Sequence, residues 1–103
     1  MNLQEEIEKL FAKADFTSAD RDIYEIFKIA LRRGEIRSAE IDSEGNWNAN
    51  SWVKQGILLG FRMGKMVEMS KPTETLQFFD KDTFPLRPMS LEDGVRIVMG
   101  GSA

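Results

Sequence analysis

The sequence predicts a mainly α fold: a small three-helix orthogonal bundle with a short β-hairpin and an extended C-terminal arm. Three observations carry that expectation. Apolar residues recur at helical spacing in three separate stretches within residues 1–66. A turn-rich segment centred on Asp42-Ser43-Glu44-Gly45-Asn46 interrupts them before the third. All three prolines, Pro72, Pro85 and Pro88, fall after Lys65, where they oppose another long helix. At 103 residues the chain makes one domain with a single modest core. It divides into a helical core over 1–66, with a hairpin near 36–48, and an arm over 67–103.

The first helix starts at Asn2 as cap, with Glu5 three residues on, a pattern close to a capping box. Leu3, Ile7, Leu10, Phe11 and Ala14 are spaced as one buried face. Glu5, Glu6 and Glu8 sit in its early turns, where the helix dipole favours negative charge; they read as a solvated face and not as a metal site. Asp15-Phe16-Thr17-Ser18 breaks the pattern, and Thr17 with Asp20 forms a second capping box. The second helix then runs from about Ala19 to Arg33, with Ile23, Ile26, Phe27, Ala30 and Leu31 inward and Tyr24 and Ile29 flanking. Arg32 and Arg33 suit its last turn, and Gly34 closes it.

Gly34 to Asn48, with Ile36, Ile41 and the Gly45 loop, reads as a hairpin. It leads into the segment Ser51 to Lys65. On a helical wheel Lys54, Lys65, Leu58, Ser51, Arg62 and Gln55 share one narrow arc, so the other sides must be wrapped by neighbours. This is the central helix. Gly56, Gly60 and Gly64 recur every fourth residue, each at a cost of on the order of 1 kcal/mol against alanine. Close approach of a neighbouring backbone would offset that cost, and Gly64 also suits a helix stop. A membrane-spanning reading fails on Lys54, Arg62 and Lys65.

In the arm, Leu76, Phe78, Phe79, Phe84 and Leu86 are too apolar for a free linker, so parts of it should lie back across the helices. Ser90-Leu91-Glu92-Asp93 suits one helical turn before Gly94, and Val95 to Met99 reads as a short strand.

Net charge of -3 and a pI near 5.0 argue against a general nucleic-acid or anionic-membrane surface. The acidic start Met1 to Glu6 is unlike a secretory leader, and the absence of cysteine fits a reducing compartment; the expected location is the cytoplasm. With neither histidine nor cysteine, the commonest general base, the thiolate nucleophile and the preferred zinc ligands are missing. That lowers the expectation of a self-contained enzyme without abolishing it, since carboxylates and lysines remain; no catalytic residue, metal or bound cofactor is assigned to this chain. Ser51-Trp52-Val53-Lys54 matches the S-x-x-K of penicillin-binding enzymes, without the companion motifs; a serine there is more simply a helix cap. Trp47 and Trp52 could stack a ligand ring, but core packing is the commoner use.

Gly34, Ile36-Arg37, Ala39-Glu40, Gly45, Trp47, Trp52, Lys54 and Leu58-Leu59-x-Phe61-Arg62, followed by Phe79-Asp80-Lys81 and Gly94-Val95-Arg96-Ile97-Val98, together resemble the N-terminal domain of the tetrahydrodipicolinate N-succinyltransferases. These are acyltransferases of lysine and diaminopimelate biosynthesis. The resemblance implies that the strand at Val95 enters a left-handed parallel β-helix, whose hexapeptide repeats this sequence lacks. It also implies transfer of succinyl from succinyl-CoA to ring-opened tetrahydrodipicolinate, with the β-helix supplying the thioester site, the general base and a homotrimer interface. Arg96 matches the family arginine that contacts substrate, and a guanidinium suits a dicarboxylate through bidentate hydrogen bonds. On this reading the chain alone is inactive. A free-standing helical interaction module, binding a partner through the Pro72 to Met99 arm, is the alternative.

Overall fold

A computed structural model describes residues 2–70, 75 and 77–97. Helix α1 spans Leu3–Phe11, and the Asn2 side chain accepts from the Glu5 backbone N–H at 3.3 Å, as the cap pattern requires. Ile7 and Leu10 are buried. Ala14 lies beyond the helix end and is exposed, so the inward stripe is shorter than its spacing suggested.

Helix α2 spans Ser18–Arg32 behind a complete capping box. The Asp20 N–H donates to Thr17 Oγ1 at 3.2 Å, and the Thr17 N–H donates to Asp20 Oδ2 at 2.9 Å. Its end is a Schellman motif, with the Gly34 N–H on Leu31 O and the Glu35 N–H on Ala30 O, made possible by Gly34 at φ 74°. The buried face differs from the expected one. Tyr24, Phe27 and Ala30 point inward, whereas Ile26 is 45% exposed. The reason lies on the third helix.

That helix, α3, spans Ser51–Met63, with Asn50 at its N-cap and Ser51 as its first helical residue. It packs against both α1 and α2, and its exposed strip is Ser51, Lys54, Leu58, Phe61, Arg62. Gly56 receives the Phe27 ring, Gly60 receives the Tyr24 hydroxyl end and the Phe84 ring, and Gly64 meets Thr83. The glycines thus make notches for side chains, not for a neighbouring backbone. A tyrosine over a notch buries more apolar surface than Ile26, two positions on and on a different face of the helix, which turns α2 toward Tyr24. Ile7, Leu10, Tyr24, Phe27, Val53, Leu59 and Met63 form the core, each large side chain contributing about 1.5–3 kcal/mol of transfer free energy.

Between α2 and α3 stands the expected hairpin. Strands β1 (Ala39–Ile41) and β2 (Trp47–Ala49) pair antiparallel, with Ile41 opposite Trp47 and Ala39 opposite Ala49. Asp42 holds the loop by accepting from the Glu44 and Asn46 N–H groups, both at 2.9 Å, and Gly45 takes φ 85°.

The arm is more structured than an extended segment. Strands β3 (Met66–Glu68) and β4 (Phe79–Lys81) make a second antiparallel hairpin. Its return is fixed to the helices at Asp82, Thr83 and Phe84. Asp82 Oδ1 accepts from the Lys65 N–H at 2.9 Å and lies 3.3 Å from Arg21. Thr83, 1% exposed, donates to Gly60 O at 2.7 Å, and its own carbonyl accepts from Lys28. The Phe84 ring stands edge-on to Tyr24 at 6.3 Å. The arm therefore does lie back across the helices, through Phe84; Phe78, Phe79 and Leu86 remain exposed, and Leu76 lies outside the described residues. A 3-10 turn over Leu91–Asp93 follows, as expected. Residues Val95 to Ile97 are irregular and not a strand, for among the described residues no neighbouring strand supplies them with hydrogen bonds. Val98 and Met99 lie outside the described residues.

Candidate functional site

The segment carrying Arg96 is built on the Thr83–Phe84 anchor. After Pro85 and Pro88 the chain turns at Ser90, whose N–H donates to Asp93 Oδ2 at 2.8 Å. Asp93 also lies 3.3 Å from the Arg87 guanidinium, so its charge is already matched. Gly94, at φ 68°, takes the left-handed conformation that lets the chain leave the 3-10 turn. Arg96 follows, exposed, and among the described residues no carboxylate lies within ion-pair distance of it.

Met89, Ser90, Leu91, Val95, Arg96 and Ile97 border one shallow depression of about 490 Å³. Its rim is apolar apart from Ser90 and Arg96. A guanidinium in apolar surroundings can grip a carboxylate by a bidentate, charge-assisted pair, and exclusion of water would strengthen that pair. Among the described residues, no second titratable side chain borders the depression.

Arg87 and Asp93 were not singled out from the sequence. Their signal is the spacing Arg87, Ser90, Asp93, in which a capping carboxylate also answers a nearby arginine. A second depression, of about 460 Å³, lies between Arg32 and Arg87 over Pro85, Leu86 and Pro88. Arg32 and Arg33 occupy the end of α2 as their spacing suggested, and Arg33 lies 4.0 Å from Glu35.

The other weighed residues scatter. Ser51 and Lys54 are exposed on the first turn of α3 and border none of these depressions. Ser51 is not the helix cap either; Asn50 holds that position, and its Nδ2 donates to Arg37 O at 2.6 Å. Trp52 packs edge-on to Phe27 at 6.2 Å, as a core residue would. Trp47 does not: it is 71% exposed, because β2 puts it on a hairpin face that no helix among the described residues covers. Among the described residues, no three carboxylates gather as a metal centre would need, and no helix is long and apolar enough to cross a membrane.

Comparison with known proteins bears on the helical core. Residues 2–63 match the family model described as tetrahydrodipicolinate N-succinyltransferase N-terminal. Proteins of Brucella ovis, Brucella canis and Brucella suis, each named 2,3,4,5-tetrahydropyridine-2,6-dicarboxylate N-succinyltransferase, are 39% identical to it over 70 residues. Those alignments cover 63% of this chain and 25% of each relative; the chain spans about a quarter of the length of the curated relatives it matches. The family match takes in α1, α2, the first hairpin and α3, and ends at Met63, before Arg96. On the length of that match, this chain belongs to the tetrahydrodipicolinate N-succinyltransferase N-terminal family.

Proposed function

We propose that this chain is the substrate-side domain of an enzyme that transfers succinyl from succinyl-CoA to the amine of ring-opened tetrahydrodipicolinate, a step of lysine and diaminopimelate biosynthesis. The observation that carries the reading is the family match over residues 2–63, together with the shared name of the Brucella relatives. In this account Arg96 binds a carboxylate of the dicarboxylate, and its exposure without a counter-charge among the described residues supports that role. Leu91, Val95 and Ile97, exposed in this chain, border the same depression as Arg96.

A β-helix domain would supply the thioester site, the general base and the contacts of a homotrimer. The complete enzyme would work in the cytoplasm. The absence of histidine and cysteine, and the lack of a second titratable side chain bordering the Arg96 depression among the described residues, support assigning chemistry to that other domain. Family membership disfavours a free-standing interaction module.

The test is a succinyl-transfer assay on two preparations: the 103-residue chain, and a chimera joining it to the remaining length of a Brucella relative. Turnover in the chimera alone is expected. Turnover in the short chain would overturn the division of labour, and a folded, inactive chimera would remove the substrate-side role.

A further inference from the structure

Beyond Phe84 one carboxylate gathers the side-chain hydrogen bonds of the arm. Among the described residues four such bonds lie there, and three of them end on Asp93. Its partners are the Ser90 N–H at 2.8 Å, the Ser90 hydroxyl at 3.4 Å and the Arg87 guanidinium at 3.3 Å. The fourth runs from Arg87 to the Met89 sulfur. Asp93 thus ties the start of the turn, at Arg87 and Ser90, to its end.

The two sides of the Arg96 depression meet at this residue. Met89, Ser90 and Leu91 border it from before Asp93, and Val95, Arg96 and Ile97 from after it. The angle between them is set at Gly94, where φ is 68° and the N–H is held on Leu91 O at 3.2 Å. Among the described residues no hydrogen bond reaches Val95, Arg96 or Ile97. The direction in which the guanidinium leaves is therefore inherited from the turn. Asp93 is also an acid three residues before Arg96, a natural competitor for its charge. Both of its oxygens are engaged, Oδ1 by Arg87 and Oδ2 by Ser90, which leaves Arg96 open.

We infer that Asp93 is a positioning residue for Arg96: by closing the turn on Ser90 and Arg87, it fixes the line along which the chain presents the guanidinium to a ligand carboxylate. A bidentate pair needs both partners in one plane, so a loosened turn weakens it steeply. The inference rests on the assignment of Arg96 to the dicarboxylate. Asp93 acts through Arg96 and not on the substrate itself.

A double-mutant cycle in the chimera with a Brucella relative tests it, read by steady-state kinetics. Asp93→Ala raises KM for the dicarboxylate by about tenfold and leaves KM for succinyl-CoA unchanged. Asp93→Asn keeps an acceptor for the Ser90 N–H and raises KM by only about threefold. In an Arg96→Ala background Asp93→Ala adds no further loss, because the group it positions is gone. A merely structural role would cost the same in both backgrounds and would move KM for succinyl-CoA too; thermal unfolding checks that each variant keeps its fold. Equal losses in the two backgrounds would overturn the inference while leaving the role of Arg96 standing. So would an unchanged KM in Asp93→Ala where Arg96→Ala raises it. An unchanged KM in Arg96→Ala would remove the role of Arg96, and the positioning with it.

Discussion

Gly60 concentrates the packing problem of this domain. Alanine there would raise helix propensity by about 1 kcal/mol, but its Cβ would press on the Tyr24 hydroxyl and the Phe84 ring, with Tyr24 only 1% exposed. Overpacking of that kind costs about 1–3 kcal/mol, and the steric term wins because two rings must move together. Gly60→Ala therefore lowers the midpoint of urea unfolding; a raised midpoint would contradict the notch. Tyr24 is the chain's single tyrosine, and burial, with a smaller contribution from the Glu25 charge, pushes its pKa far above the ordinary value. Its hydroxyl finds no hydrogen-bond partner among the described residues. Because the folded-state pKa is raised, the stability linked to the neutral phenol is complete below the unfolded value near ~10 and declines above it. Ultraviolet titration should show no phenolate until alkali unfolds the chain, whereas a reversible titration near ~10 in folded protein would contradict the burial. Tyr24→Phe should leave stability level or raise it, since it removes a buried donor that pairs with nothing described.

At the scale of elements, α1 is held by a side chain from α3. The Arg62 guanidinium donates to Phe11 O at 2.7 Å and also to Lys13 O, just past the end of α1, and its centre lies 5.2 Å from the Phe11 ring and 5.7 Å from that of Phe16. Two charge-assisted bonds to orphan carbonyls, discounted for exposure, and weak cation–π contacts make Arg62→Ala cost about 1–2 kcal/mol. Lysine lacks the forked geometry and should restore less than half, as thermal unfolding would show. Three carboxylates join the elements in a pH-dependent way. The Lys13 ammonium, with the Thr17 N–H, holds Asp20 below its ordinary value; the Asn46 N–H, with Asn48, does so for Asp42; and the Lys65 N–H, with Arg21, for Asp82. Their folded-state values are depressed, so the stability they add is complete above the unfolded value near ~3.9 and is lost as pH falls below it through the depressed folded-state values. Urea midpoints should be level above about pH 5 and fall below about pH 4, with a shallower fall in Asp20→Asn. An acid limb unchanged by that substitution would contradict the assignment. These elements were unequally legible. Caps and periodicity announce α1, α2 and α3 because Asn2, Thr17, Asp20 and Gly34 act on their immediate neighbours. The choice of Tyr24 over Ile26 for the buried face was not legible, since it depends on notches in a helix thirty residues away in sequence. Strands β3 and β4 are three residues each, too short for a period of two to be read.

Across the whole molecule, the path from core to candidate site runs through one anchor. Lys28 and Gly60 grip Thr83, Phe84 wedges against Tyr24, and the segment beyond them leads through the Arg87–Asp93 pair to Arg96. Residue chemistry alone allows a charge among Val95, Ile97 and Val98 to be either a solvent-facing charge on an edge strand or a group that takes a partner; the dicarboxylate as that partner is what the resemblance implies. Its place beside an apolar depression depends on the fold of the arm, which no local pattern dictates. Trp47 shows the same limit from the other side, for an aromatic residue in a strand does not declare which face is covered. The central claim, a substrate-binding domain that works through Arg96, is tested most directly by steady-state kinetics of Arg96→Ala and Arg96→Lys in an active chimera. A lost bidentate carboxylate pair should raise KM for the dicarboxylate by about tenfold to a hundredfold, leave KM for succinyl-CoA unchanged, and be only partly restored by lysine. Unchanged KM for the dicarboxylate in Arg96→Ala would contradict the account.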